Sequence, residues 1–199
     1  FWYWLLGSDW FAPVGTHFVF LRVSPESKKI ELLIGKANGT DEGCLATRPY
    51  GDVFSGTAWS PDGKTIVFTT SETEKGFHSV LWAASVADGS VHETYSTPDF
   101  IGRPHWLPGG AGLLVPVYYQ DLRGQLWYIS FPKGDAIRLT NDLMNYDLCC
   151  LDLNQDGKTL VDTELTALSD LWLSPAGTAA KAQQTPAQSP ATRRFPWVP

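Results

Sequence analysis

The sequence predicts an all-β chain, a β-propeller of four-stranded antiparallel blades with about four blades present as part of a larger ring. Three observations lead there. A bulky residue, a Pro-Asp-Gly type turn and an alternating strand recur at a step of 47 or 48 residues. A tryptophan strand followed by a glycine turn recurs at a step of 45. The composition is rich in turn residues and poor in charge, with 18 Gly, 14 Pro and 18% charged residues beside 43% apolar, where an average chain carries about 25% charged. Nine Trp, ten Phe and seven Tyr supply large core pieces, each ring burying roughly 150–250 Å².

The first copy spans about residues 10–48. It opens on Phe11-Ala12-Pro13-Val14-Gly15-Thr16-His17-Phe18-Val19-Phe20, places Leu32 where later copies have Trp, turns at Asn38-Gly39 and ends on Cys44-Leu45-Ala46-Thr47. The second, about 58–98, is the clearest: Trp59-Ser60-Pro61-Asp62-Gly63-Lys64-Thr65-Ile66-Val67-Phe68, then Leu81-Trp82-Ala83-Ala84 and the turn Asp88-Gly89. The third, about 105–141, repeats Trp106-Leu107-Pro108-Gly109-Gly110, Leu113-Leu114-Val115, Leu126-Trp127-Tyr128-Ile129, Lys133-Gly134 and Ile137-Arg138-Leu139-Thr140. The fourth, about 152–185, carries Leu153-Asn154-Gln155-Asp156-Gly157-Lys158-Thr159-Leu160-Val161, Leu171-Trp172-Leu173 and Ala176-Gly177. Residues 196–199 open a further copy with Trp197-Val198-Pro199, while residues 1–9 match no blade position.

Asn-Gly and Asp-Gly are strong hairpin signals because both residues tolerate positive φ. Each unit therefore reads strand, turn, strand, loop, Trp strand, tight turn, outer strand, which is the blade of a propeller. One blade cannot bury both faces, so stacked neighbours supply the core and aromatic rings fill the wedge. The repeated Trp residues are accordingly read as structural. Val14 and Gly109 stand where the motif has Asp, and Gln155 replaces Pro, which weakens single turns without disturbing the period. Thr178 to Arg194 has little apolar content and is the weakest stretch, falling where the fourth outer strand belongs. A self-closed four-bladed ring is the alternative to a piece of a larger one.

Charge and motif exclude several functions. The net charge of −6 leaves no basic footprint for nucleic acid, and no apolar run approaches the roughly 20 residues of a membrane helix. Phe1-Trp2-Tyr3-Trp4-Leu5-Leu6 lacks a basic flank and a cleavage site, so it does not read as a signal peptide. The first residue is Phe, so further sequence is expected upstream. Cys44, Cys149 and Cys150 fit neither a disulfide framework nor zinc spacing and read as packed free thiols.

Residues 59–68 and 125–142, with a Trp strand, Asp-Gly and a Leu-Thr ending, resemble the TolB-like, WD-like propeller repeat. The stretch Asn141 to Val161 is similar to a subgroup common in acidobacterial proteins. The resemblance covers about residues 10–199. It implies a bacterial signalling protein in which the propeller follows a transmembrane serine/threonine kinase or a winged-helix transcriptional regulator. It also implies two alternatives. One is the substrate-gating propeller of a prolyl-oligopeptidase or dipeptidyl-peptidase-IV type enzyme, the other a free-standing periplasmic scaffold like TolB. An extracytoplasmic location follows from the resemblance alone.

No catalytic motif is found, so the chain reads as a non-enzyme without cofactor or metal. Gly-x-Ser-x-Gly, which a hydrolase nucleophile elbow needs, does not occur, nor do Gly-rich phosphate cradles. The histidines at 17, 78, 92 and 105 are scattered, and His105 beside Trp106 reads as structural. Asp152-x-Asn154-x-Asp156-Gly157 copies half of a calcium loop, but Thr163 stands where the bidentate Glu belongs, and the turn is already explained by the repeat. Asn38-Gly39-Thr40 satisfies the glycosylation pattern and is equally a hairpin turn.

Function is expected on the long connections, because loops on a rigid scaffold are where binding residues concentrate. These are 71–79, 119–125, 163–169 and the inter-blade segments 48–57, 97–105 and 141–152. The candidate residues of that face are Tyr50, Asp52, His78, Arg103, Tyr119, Asp121, Arg123, Tyr146 and Asp147. The expected partners are a protein, peptide or small ligand on this face and the remaining blades of the parent chain.

Overall fold

One turn, used four times, sets the frame. In the computed structural model, which describes residues 10–72, 76–119, 124–141, 145–146, 151–154, 157 and 159–161, the same two backbone hydrogen bonds close each copy. Ala12 N donates to His17 O and Gly15 N to Ala12 O; the same pairs join residues 60, 63 and 65, then 107, 110 and 112, then 154, 157 and 159, at 2.8–3.0 Å. Gly15, Gly63, Gly110 and Gly157 all take φ between 66° and 74°, a left-handed value that side chains resist. The turn therefore survives Val14, Gly109 and Gln155, because its backbone needs only the glycine. Side-chain support varies around that constant. Ser60 Oγ accepts Thr65 N and donates to Asp62 Oδ1, while Asn154 Oδ1 takes over by accepting Thr159 N.

The first described blade holds β1 (His17–Ser24), β2 (Lys29–Lys36) and β3 (Gly43–Pro49), with Phe11 bridged to Phe18 on the inner side. The second holds β4 (Val53–Trp59), β5 (Thr65–Glu72), β6 (His78–Ser85) and β7 (Val91–Thr97) in that spatial order. In the third, β8 (Phe100–Ile101) and β9 (His105–Trp106) share the inner position beside β10 (Gly112–Tyr118), followed by β11 (Gly124–Ser130) and β12 (Ala136–Arg138). A two-stranded piece of the fourth pairs β13 (Asp152–Leu153) with β14 (Leu160–Val161). All pairings are antiparallel. No helix occurs among the described residues, so none is long and apolar enough to cross a membrane.

Alternation along the second strand splits each blade into two apolar faces. Ile66 and Phe68 join Val19, Ile30 and Leu32 of the first blade, while Val67 joins Leu113, Val115 and Val117 of the third. Leu114 then turns the other way, toward Leu151 and Leu160. Two buried faces explain why β5 and β10 read as continuous apolar and Thr runs rather than as half-polar strands. Between blades, Trp59 Nε1 donates to Trp10 O at 3.4 Å and Trp106 Nε1 to Ala58 O at 3.2 Å. These tryptophans are structural, as their period implies.

The structure corrects four sequence readings. The inner strands begin at Val53 and Phe100, so much of segments 48–57 and 97–105 is strand rather than connection. The cause is a β-bulge that breaks the alternation, between Phe54 and Gly56 in one blade and at Gly102-Arg103-Pro104 in the next, where β10 pairs from Ile101 to His105 with one residue extra. Second, Leu33 rather than Leu32 occupies the place of Trp82, since both follow the same bulge against the outer strand. Third, Cys44 is an exposed thiol on the outer strand and not a packed one. Fourth, Asp52 and Tyr146 are buried. Cys149, Cys150, residues 1–9, the rest of the fourth copy and 196–199 lie outside the described residues.

Candidate functional site at the long-loop end

Short turns close one end of the blades, and residues 49–53, 76–78 and 97–100 lie at the opposite end. Tyr50 is exposed there, its N–H donating to Lys28 O at 3.0 Å. Asp52 follows in a tight turn, N–H to Pro49 O at 3.1 Å, and is buried at the base of β4. His78 opens β6 in register with Glu72 and is exposed. Tyr119 follows β10, and the Arg138 guanidinium lies over its ring, 5.2 Å from the centroid. Tyr146 is buried with Leu114, Leu126 and Leu151, an aromatic ring packing with aliphatic neighbours rather than facing solvent. Asp121, Arg123 and Asp147 lie outside the described residues.

Arg103 is the most firmly placed of the candidates. It sits in the inner-strand bulge, where Gly102 N donates to Pro116 O at 2.8 Å and Thr69 Oγ1 donates to Gly102 O at 3.4 Å. Its backbone rests on Gly56 of the preceding blade: a Cβ at position 56 would stand 2.9–3.0 Å from Arg103 Cγ, Cα and Cβ. Gly56 is therefore needed for close approach, not for its φ. By register Gly56 and Arg103 are the same position of successive blades, so one supplies the space and the other the side chain.

The sequence reading missed an aromatic pair. Phe77, 46% exposed, stacks on Phe100 with centroids 6.0 Å apart and planes 29° apart. Phe77 comes from the connection into β6 and Phe100 from the inner edge of the next blade, so the pair spans the second and third blades. Val53, 41% exposed, adds apolar surface at the start of β4. No spacing rule could join residues 77 and 100; only the blade geometry brings them together. The same end of the second blade carries polar pairs: Ser71 Oγ meets Ser79 Oγ at 2.8 Å, and Trp82 Nε1 donates to Thr70 Oγ1 at 2.9 Å.

The described residues contain no group of three or more His, Cys, Asp or Glu placed to hold a metal. In the calcium-like stretch, Asp152 Oδ1 accepts Leu153 N at 2.8 Å and Asn154 Oδ1 accepts Thr159 N at 3.0 Å, so these oxygens serve the turn. Asp156 lies outside the described residues. In the hairpin turns, Asn38 Oδ1 accepts both Thr40 N and Oγ1, and Asp88 Oδ1 does the same for Ser90. Those bonds hold the Asp88 carboxyl down at about 2. His105 faces the fourth blade. Burial, with the Arg103 charge adding to it and Asp152 opposing it, pushes its imidazole down to about 4, so it is neutral near pH 7. At this end the Phe77–Phe100 pair forms an aromatic surface, with the exposed His78 next to Phe77 in the chain.

No family model matches the sequence, and no curated relative does. Solved structures do match in fold. A putative TolB from Agrobacterium tumefaciens aligns with TM-score 0.60 at 15% identity, over 78% of this chain and 52% of that one. TolB from Acinetobacter baumannii gives 0.58 at 20% identity, over 76% and 36%. Dipeptidyl peptidase 4 from Porphyromonas gingivalis gives 0.59 at 15% identity, over 74% and 28%. The chain thus spans about half or less of these proteins. At such identities the likeness shows the fold, a TolB-like propeller arrangement of blades.

Proposed function

We propose that this chain is a non-catalytic, TolB-like propeller module that binds a protein, peptide or small ligand on its long-loop end, within a larger bacterial signalling protein. The observation that carries the reading is the Phe77–Phe100 pair, an exposed aromatic surface held across two blades. Exposed aromatic and Arg groups on a rigid support are the residues that dominate recognition surfaces. The kinase or transcriptional-regulator parent and the extracytoplasmic location rest on the resemblance of residues 59–68 and 125–161.

The test is selection of peptides on the immobilised protein, followed by alanine variants. Phe77→Ala and Arg103→Ala are each expected to weaken a selected peptide at least tenfold, while Val14→Ala on the short-turn end leaves it unchanged. Loss with Val14→Ala alone would overturn the assignment of the face.

A second reading has its own support, since dipeptidyl peptidase 4 and prolyl endopeptidase structures are among the fold matches. In it the arc is the substrate-gating propeller of a serine peptidase. The adjoining coding sequence separates the readings. A kinase catalytic loop or a winged helix supports the first, and Gly-x-Ser-x-Gly downstream supports the second.

A further inference from the structure

Three rings of this chain carry a guanidinium of the same chain. Arg22 lies over Phe20 at 5.8 Å from the ring centroid, Arg48 over Trp82 at 4.6 Å and Arg138 over Tyr119 at 5.2 Å. In each, the negative face of the ring receives a planar, weakly hydrated cation. Phe77 and Phe100 stack on each other, and among the described residues no cation lies over either ring. With Phe77 46% exposed, the pair keeps ring surface open to solvent.

The charge of this part of the chain is one-sided. Residues 50–100 contain seven Asp and Glu against two Lys, which is five of the chain's six net negative charges. Of those lysines, Lys64 lies in the short turn at the opposite end. Asp99 directly precedes Phe100, and Glu72 pairs across β5 and β6 with His78, the chain neighbour of Phe77. Both carboxylates are half-buried. Thr97 Oγ1 donates to Asp99 Oδ2 at 3.4 Å. Among the described residues the ion pairs are Arg22–Glu42 and Lys36–Asp41, both in the first blade, so neither Glu72 nor Asp99 has a cation of its own.

With the long-loop end as the recognition end, on which reading this rests, we infer that the Phe77–Phe100 surface is a guanidinium platform. Its occupant is an arginine side chain on a polypeptide segment of the partner, stacked on the exposed phenyl surface, with Glu72 and Asp99 supplying the countercharge. The partner's arginine does there what Arg48 does on Trp82 within the chain. Arginine fits better than lysine, because its planar cation stacks on a ring while a compact ammonium holds its water. An acidic segment meets like charge here, and an aliphatic one leaves the carboxylates unanswered.

Random linear peptides displayed on phage are selected on the immobilised protein. The strongest binder is then synthesised with its arginine replaced by citrulline, which keeps the shape and removes the charge, and by lysine. Arginine is enriched among the selected peptides, citrulline weakens binding about tenfold and lysine about threefold. On the protein, Phe77→Trp keeps the affinity, and Phe77→Leu, which keeps apolar surface without a ring face, lowers it about tenfold. Glu72→Gln lowers it about threefold and flattens its fall with added salt. Peptides that are lost with Phe77→Ala but lack arginine, or that tolerate citrulline and Phe77→Leu, overturn the guanidinium platform and leave the recognition end standing. A selection that yields no peptide lost with Phe77→Ala overturns both. Free arginine that displaces the peptide at equal concentration overturns the choice of a polypeptide occupant, because it makes a small molecule the ligand.

Discussion

Replacing Val117 by Thr should stabilise the protein. In the second blade Trp82 Nε1 donates to Thr70 Oγ1 at 2.9 Å. In the third blade Trp127 stands where Trp82 stands, but Val117 occupies the place of Thr70. The Trp127 indole N–H is accordingly buried without a partner. Leaving such a donor unsatisfied costs about 1–3 kcal/mol, and a hydrogen bond made returns about 0.5–1.5 kcal/mol net. Thr has the shape of Val, so Val117→Thr adds the acceptor without adding volume, and a gain of about 0.5–1 kcal/mol is expected after burial of the hydroxyl. The reciprocal change, Thr70→Val, orphans Trp82 and should cost about 1–3 kcal/mol. Val67→Thr is the control, since Val67 is fully buried in an apolar cluster and an uncompensated hydroxyl there costs about 1–3 kcal/mol. Denaturant midpoints at constant m-value report all three. If Val117→Thr destabilises as much as Val67→Thr, the equivalence of the blades at this position is refuted.

Two further outcomes follow from single contacts. Gly56→Ala forces a Cβ against the backbone of Arg103 and should cost about 1–3 kcal/mol by overpacking, read as a fall in thermal midpoint; an unchanged midpoint would show that the inner strands are not so closely packed. His105, held at about 4 in the folded chain against an ordinary value near 6.5, binds its proton more readily when unfolded. Its contribution is therefore complete above about pH 6.5 and is lost as pH falls toward 4, up to about 3 kcal/mol. Ala58 fills the same register in the second blade, so His105→Ala should flatten that part of the stability profile; an unaltered slope between pH 6.5 and 4 would contradict the burial of His105.

The sequence period was sufficient for the blades because a turn such as 60–65 is a local object: one glycine at positive φ, a proline and a strand that alternates. The bulges were not legible. Ser55-Gly56 and Gly102-Arg103 look like linker residues, and only pairing with β5 and β10 shows them to be strand. The same limit governed the candidate site. Arg103 was named for its residue type, but its fixed position comes from Gly56 in another blade. Asp52 and Tyr146 looked exposed because polar loop residues usually are, yet local turns and an inter-blade cluster bury them. Phe77 and Phe100 escaped notice because their meeting depends on how two blades are set side by side.

The central claim is that recognition takes place at the long-loop end of the second and third blades. Amide hydrogen exchange of the protein with and without a selected peptide measures this directly. The account predicts slowed exchange over residues 50–53, 76–78 and 97–103. Slowing confined to the short turns at 13–15, 60–64 and 86–90 would contradict it.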